Sequence, residues 1–240
     1  MRPYFEKMNE FGSALKPGMI KSREANVKLI KDVEAEVEKA VEKYKNVGLP
    51  TAEINKRKQL TIWQRLDYLL DPGTWTPLNM LYNPNNNVEG TNNVCHGLAK
   101  VSGKWAVVIG FDNKVIAGAW LPGQAEEVFR ATNLSKRLNI PLIWLVNCSG
   151  VKLPEQEKFY ADRRGSGTTF FRHAELEQAG IPILAGIYGT NPAGGGYQGI
   201  SPTILFAHKD ANIAVGGGGI LSGMSPKGFF DLEGAEQLIA

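Results

Sequence analysis

Two apolar runs, each ending in a glycine-containing turn, restrict what this chain can fold into. The first, Pro141-Leu142-Ile143-Trp144-Leu145-Val146, breaks into Asn147-Cys148-Ser149-Gly150-Val151. The second, Ile181-Pro182-Ile183-Leu184-Ala185-Gly186-Ile187-Tyr188, breaks into Asn191-Pro192-Ala193-Gly194-Gly195-Gly196-Tyr197. An apolar run of this length reads as a strand buried on both faces, as in a parallel sheet. Glycines just past such a strand let backbone N–H groups come close to a ligand. Two N–H groups converging from two such turns form an oxyanion hole, which needs no charged side chain.

The flanking pattern supports an α/β domain. His96–Val101 and Trp105–Gly110 predict a hairpin around Ser102-Gly103-Lys104, and Val115–Trp120 a third strand. Gln124–Leu138 reads as a helix, with Val128, Ala131, Leu134 and Leu138 on its apolar face. Glu155–Gly180 reads as mostly helical, interrupted at Gly165-Ser166-Gly167. Beyond the second run, Pro202–His208 suggests a short helix, Ile213-Ala214-Val215 a buried strand and Asp231–Leu238 a final helix. Upstream, Val27, Ile30, Val33, Val37, Ala40, Val41 and Tyr44 recur every three or four residues and predict a helix over Ser22–Tyr44. Its stripe suits docking on a core or on a second subunit. Another helix is expected from Glu53 to Leu70, stopped by Asp71-Pro72-Gly73. Strands alternating with helices imply parallel pairing through helical crossovers.

Composition narrows the class. With 240 residues, 43% apolar and 21% charged, the chain suits a sizeable domain with an appendage, or two small ones. Its longest apolar runs reach about half of the roughly 20 residues a membrane span needs, and Met1–Glu10 has no secretory-leader pattern. Two cysteines without metal-type spacing, Cys95 and Cys148, indicate a reduced, cytoplasmic protein. A net charge of +3 is too small to argue for nucleic acid. Residues 1–60 carry 13 Lys+Arg against 9 Asp+Glu, leaving 14 against 15 elsewhere, so the surplus lies near the N-terminus, where it suits a partner or a phosphate.

The side-chain candidates for catalysis are weak. His96, His173 and His208 lack metal-site spacing, so no metal is expected. Asn147-Cys148-Ser149-Gly150 lacks the first glycine of a nucleophile elbow, and Cys148 reads better as a small residue at a strand end than as a nucleophile. Gly194–Gly196 and Gly216–Gly219 lack the Gly-Lys-Ser/Thr of a phosphate loop. Their pairing with buried strands is the stronger signal, since parallel sheets bind ligands outside their carboxyl ends.

These residues carry a family resemblance. Ser149-Gly150-Val151 after its strand, then Pro192-Ala193-Gly194-Gly195-Gly196-Tyr197, resembles the Ser-Gly-Gly-Ala-Arg and Ala-Gly-Gly-Ala of biotin-dependent acyl-CoA carboxyltransferases. Arg65-Leu66-Asp67-Tyr68-Leu69-Leu70-Asp71-Pro72-Gly73-Thr74-Trp75 resembles the opening of their domain, and the likeness runs from about Lys58 to the end. The Asn-rich loop and Ala117–Gln124 are most similar to the α subunits of glutaconyl-CoA decarboxylases. Val151 and Lys152 stand where the common pattern has Gly-Ala, which argues against an acyl-CoA carboxylase proper.

The resemblance implies a crotonase-like fold of repeated ββα units over 58–240, cut short at its C-terminal end, after a helical extension over 1–57. It implies transfer of a carboxyl group from glutaconyl-CoA or a similar acyl-CoA to biotin carried on a partner subunit. It also implies homo-oligomers and a cytoplasmic location, peripheral to the membrane if membrane-embedded decarboxylase subunits join. By motif position the oxyanion donors are the N–H groups of Val151 and Gly195; Gly150, Gly194, Gly196, Tyr197, Gly217 and Gly218 shape the acyl site. Lys21, Arg23, Lys56, Arg57, Lys58, Arg163 and Arg164 are candidates for the CoA phosphates. Two alternatives stay open: a crotonase-type hydratase or isomerase using Glu155 and Glu157, and a non-catalytic acyl-CoA-binding or assembly portion.

Overall fold

The computed structural model describes residues 14, 16–160, 165–216 and 237–238. The chain divides into two compact units, Met1–Glu42 and Lys43–Ala240, whereas the sequence places the change at 57/58. Helix α1, Pro17–Lys45, starts earlier than its apolar period because Pro17 opens it; proline suits a first helical position, having no N–H to leave unpaired. Its stripe residues Val27, Ile30, Val33 and Val37 are exposed. In the second unit Tyr44 is buried, its hydroxyl donating to the Val94 carbonyl at 2.9 Å.

The helix expected over Glu53–Leu70 is instead two, α2 (Thr51–Lys56) and α3 (Ile62–Leu69). Lys58 takes a positive φ of 57°, which ends the first. Thr61 then opens the second with a capping box: its hydroxyl accepts from Gln64 N, while the Gln64 side chain accepts from Thr61 N. That Thr-x-x-Gln signal is present in the sequence, but the apolar period running through it hides it.

A six-stranded sheet follows, in the order β1 (Thr76–Leu78), β2 (Val94–Val101), β3 (Lys104–Phe111), β4 (Leu142–Val146), β5 (Ile183–Ile187) and β7 (Ile204–Ala207). Strands β1 (Thr76–Leu78), β2 (Val94–Val101) and β3 (Lys104–Phe111) pair antiparallel. The β2–β3 turn puts Ser102 and Gly103 at positive φ, as a two-residue hairpin requires. The Asp71 carboxylate accepts from both of their N–H groups, at 3.0 and 2.7 Å. After β3 the expected strand Val115–Trp120 is absent. Ile116–Gly118 form a 3-10 turn with three successive positive φ values, folding the chain back so that Ser149 N donates to Ala117 O. A Cβ on Gly118 would overlap the Asn147 carbonyl oxygen, so this crossing tolerates only glycine.

Helix α4 (Gln124–Leu138) leads into β4 (Leu142–Val146). Then come α5 (Gln156–Tyr160), α6 (Gly167–Gln178), β5 (Ile183–Ile187), β6 (Thr190–Pro192) and α7 (Gly194–Ile200). Residues 204–207 form β7 (Ile204–Ala207), parallel to β5, not the expected helix. Four residues are too few to show a period, and on the sheet's outer edge Ile204, Leu205 and Phe206 remain exposed. The expected strand at 213–215 is β8 (Asn212–Ala214), which pairs with β6 and β9 (Gln237–Leu238) in a separate small sheet, while Val215 is exposed. Residues 231–236 of the expected last helix lie outside the described residues; 237–238 are strand.

Both faces of the parallel sheet are covered, which explains the unbroken apolar runs. Leu142, Trp144 and Val146 join Val128 and Ala131 of α4 and Leu176 of α6 in one cluster. Leu145, with Ile143 packed beside it, meets Ile62 and Leu66 of α3 in the other. Each large side chain so buried contributes about 1.5–3 kcal/mol, which pins the carboxyl ends of β4 and β5 side by side.

Candidate active site

Beyond β4 the chain is held from two directions. Trp120 N donates to Gly150 O at 2.8 Å and Lys152 N to Trp120 O at 3.1 Å, a one-residue parallel bridge between Trp120 and Val151. The bridge uses the neighbours' groups, so the N–H of Val151 itself points away from Trp120. Trp120 is in turn fixed by stacking near Phe111, at 6.2 Å, and Phe159, at 4.7 Å between ring centres.

Beyond β5 the second turn enters α7. The first intrahelical bond runs from Tyr197 N to Ala193 O, and among the described residues the N–H groups of Gly194, Gly195 and Gly196 have no backbone acceptor, as at any helix start. The two turns touch. A Cβ on Gly195 would overlap the carbonyl oxygen of Cys148, and one on Gly150 would sit 3.6 Å from Pro192 O. Asn191 joins them: its Oδ1 accepts from Cys148 N at 2.8 Å, and its amide donates to Tyr188 O and Gly189 O at 2.9 and 3.2 Å. Fully buried Asn191 thus satisfies the N–H of Cys148 and adds a donor to two carbonyls of the second turn. Sequence reading passed over it, because Asn-Pro signals only a turn.

The three glycines of α7 differ in what surrounds them. The place of a Cβ on Gly196 is taken by Ile213 and the Asn191 carbonyl, so Gly196 serves packing. Gly195 lies against Cys148. At Gly194 an added Cβ would meet only the Tyr160 hydroxyl oxygen, 4.0 Å away, so among the described residues space is open there. Tyr197 packs on Phe170 at 4.0 Å between ring centres and is partly exposed. Gly217 and Gly218 lie outside the described residues.

The profile of the carboxyl transferase domain family matches residues 53–236. The chain belongs to the carboxyl transferase family. Over 238 residues, 99% of the chain, it is 51% identical to glutaconyl-CoA decarboxylase subunit alpha of Acidaminococcus fermentans, covering 40% of that protein. Over 168 residues, 67% of the chain, it is 30% identical to the biotin-dependent 3-methylcrotonyl-coenzyme A carboxylase beta1 subunit of Mycobacterium tuberculosis, covering 31% of it. The chain therefore spans less than half the length of these relatives. Among solved structures, transcarboxylase 12S with methylmalonyl-coenzyme A and methylmalonic acid bound aligns over 80% of the chain and 39% of its own, with a TM-score of 0.70 and 19% identity. The geranyl-CoA carboxylase beta subunit of P. aeruginosa aligns over 90% of the chain and 40% of its own, with a TM-score of 0.65 and 19% identity. The fold is crotonase-like, as the resemblance implied.

For this carboxyl transferase domain the side-chain candidates fall away on geometry. Burial pushes the Cys148 thiol up to about 12, so it stays protonated and unreactive at neutral pH. His173 is buried with its Nδ1 on the Ser201 hydroxyl, and burial lowers its pKa to about 4. His96 is buried against Glu127, at 2.8 Å. Glu155 is engaged by Lys152 at 2.7 Å, which holds its carboxyl below the usual range, and Lys152 also meets Glu89 at 2.6 Å. Glu157 is exposed. Neither glutamate has the arrangement of a hydratase's paired acid and base. Among the proposed phosphate-binding cations, Lys56 pairs with Glu53 at 2.6 Å, and residues 163 and 164 lie outside the described residues.

Proposed function

We propose that this chain is the thioester-binding portion of a biotin-dependent carboxyltransferase acting on glutaconyl-CoA or a similar acyl-CoA. The observation that carries the reading is the contact between the two strand-end turns, with Gly195 against Cys148 and Asn191 joining them. It brings the segment carrying Val151 beside the helix start carrying Gly195, and their N–H groups are the proposed donors to the thioester oxygen.

When the bond to the terminal carboxyl group breaks, its electron pair enters a dienolate whose negative charge reaches that oxygen. Backbone donors fixed in advance stabilise this charge as it develops, and losing one costs on the order of 3 kcal/mol. Biotin on a partner subunit would supply the nitrogen that takes up the carboxyl group, its N–H proton passing to the dienolate carbon. Among the described residues the space over Gly194, beside the proposed donors, is open, which suits the approach of such a ring. Burial keeps Cys148, directly beneath, uncharged and so compatible with a developing anion. Self-association and membrane-embedded partner subunits belong to the same proposal. The assembly of transcarboxylase 12S as a hexamer supports the former, and among the described residues no helix is long and apolar enough to cross a membrane.

Gly194→Val is the test, because its side chain fills the open space without meeting backbone. In calorimetric titrations the wild type is expected to bind glutaconyl-CoA more tightly than free CoA. The variant should lose about tenfold of that preference, roughly 1.4 kcal/mol, with free CoA unaffected. A wild type without acyl preference, or a variant that keeps it, would overturn the assignment.

A further inference from the structure

The carboxyl edge of the parallel sheet has a second polar centre, which the thioester reading does not use. Cys148 joins the cluster under α4 and α6, whereas Asn147, one residue earlier, faces α3. With its amide turned to satisfy its neighbours, the Asn147 oxygen accepts from both terminal nitrogens of Arg65, at 3.0 and 3.3 Å, and its nitrogen donates to Tyr188 O. Arg65 is only 5% exposed and lies over the Tyr188 ring, 4.1 Å from its centre. Among the described residues its Nε has no hydrogen-bond partner and no carboxylate lies within ion-pair distance of it, the buried Asp112 acting on it only from farther away. Burial lowers its pKa to about 10, so it remains a cation at neutral pH. A buried cation with an unpaired N–H is costly unless something satisfies it.

Beside Arg65 lies a cavity of about 90 Å³, lined also by Lys58, Gln59, Tyr188 and His208. It has room for several waters, or for one small anionic group. Lys58 and His208 are exposed. The positive φ of Lys58, where α2 breaks from α3, shapes the loop that brings it to the cavity. Tyr188 and His208 directly follow β5 and β7, and Asn147 follows β4. The cavity thus opens at the carboxyl ends of adjacent parallel strands, where such sheets bind ligands.

We propose that this cavity is an oxyanion-binding site centred on Arg65, which takes a single carboxylate or phosphate group through Arg65, Lys58 and the His208 ring. It lies on the α3 face of the sheet, apart from the glycine turns, and does not depend on the thioester reading. The test is a titration of the full ¹⁵N-labelled chain with sodium phosphate, sodium acetate and sodium chloride at matched ionic strength, following the arginine Nε–H resonances. The Arg65 signal is identified by its loss in Arg65→Lys or, should that variant not fold, by its contact with the Tyr188 ring. A saturable shift of that signal with phosphate or acetate, but not chloride, is expected, with binding about tenfold weaker in Lys58→Ala. Preference for phosphate assigns the site to a phosphate ester, and preference for acetate to a carboxylate. A signal unmoved by phosphate and acetate, one moved equally by chloride, or binding unchanged in Lys58→Ala overturns the proposal.

Discussion

Asn147 and Cys148 are chain neighbours that serve opposite sides of one sheet and opposite kinds of chemistry. On the Cys148 side the polar groups proposed to meet a ligand belong to the backbone, and close packing of glycine against carbonyl sets their places. On the Asn147 side the offer is one guanidinium, held by an amide and a ring. The difference teaches where each side is fragile. The first should tolerate changes in charge but not in volume; the second should tolerate small changes in volume but not the loss of one cation.

The largest break in this comparison is expected at Asn191. Asn191→Ala leaves Cys148 N unpaired in the interior and takes one donor from each of the Tyr188 and Gly189 carbonyls, a cost on the order of 3 kcal/mol. Urea unfolding should show it as a lower midpoint. Next comes Gly195→Ala, whose methyl must displace the Cys148 carbonyl; overpacking of this kind costs about 2 kcal/mol, and acyl-CoA binding should fall with stability. The earlier contrast holds here: Gly194→Ala, one residue away, should change the melting temperature by less than about 1 °C.

Acid separates the two sides as well. His173, behind α7, has its pKa lowered by burial to about 4 from an ordinary 6.5. The unfolded chain therefore takes up the proton first, so this contribution is complete above about pH 6.5 and is lost as the pH falls towards 4. The loss is about 2 kcal/mol between pH 7 and 5. Hydrogen exchange at pH 5 should show α7 opening before α3, and His173→Gln should remove that acid dependence. Equal loss of protection in both helices would erase the distinction.

Much of this was legible in the sequence, for physical reasons that also explain the misses. β4 and β5 showed themselves because both faces are buried, and the hairpin because Ser-Gly fits its turn. Local pattern could not reveal the reversal at 116–118, which exists to meet Asn147 and Ser149 some thirty residues away. The edge strand at 204–207 depends on pairing with β5 for its identity. The glycine turns that carry Val151 and Gly195 stand out in the sequence, and their part as donors is a proposal from the family motif; the contacts of Asn191 and Arg65 were not legible, because each depends on partners from other elements.

The carboxylate of Asp71 on the β2–β3 turn bears on the order in which the molecule assembles. It ties the end of α3 to a hairpin only 31 and 32 residues on, and hairpins close in microseconds. The bond from Cys148 to Asn191 spans 43 residues and needs a parallel crossover, among the slower pairings to form. As the chain leaves the ribosome, α3 and the β2–β3 hairpin can dock before the glycine turns meet. The part proposed for catalysis is then assembled late, on a scaffold already begun.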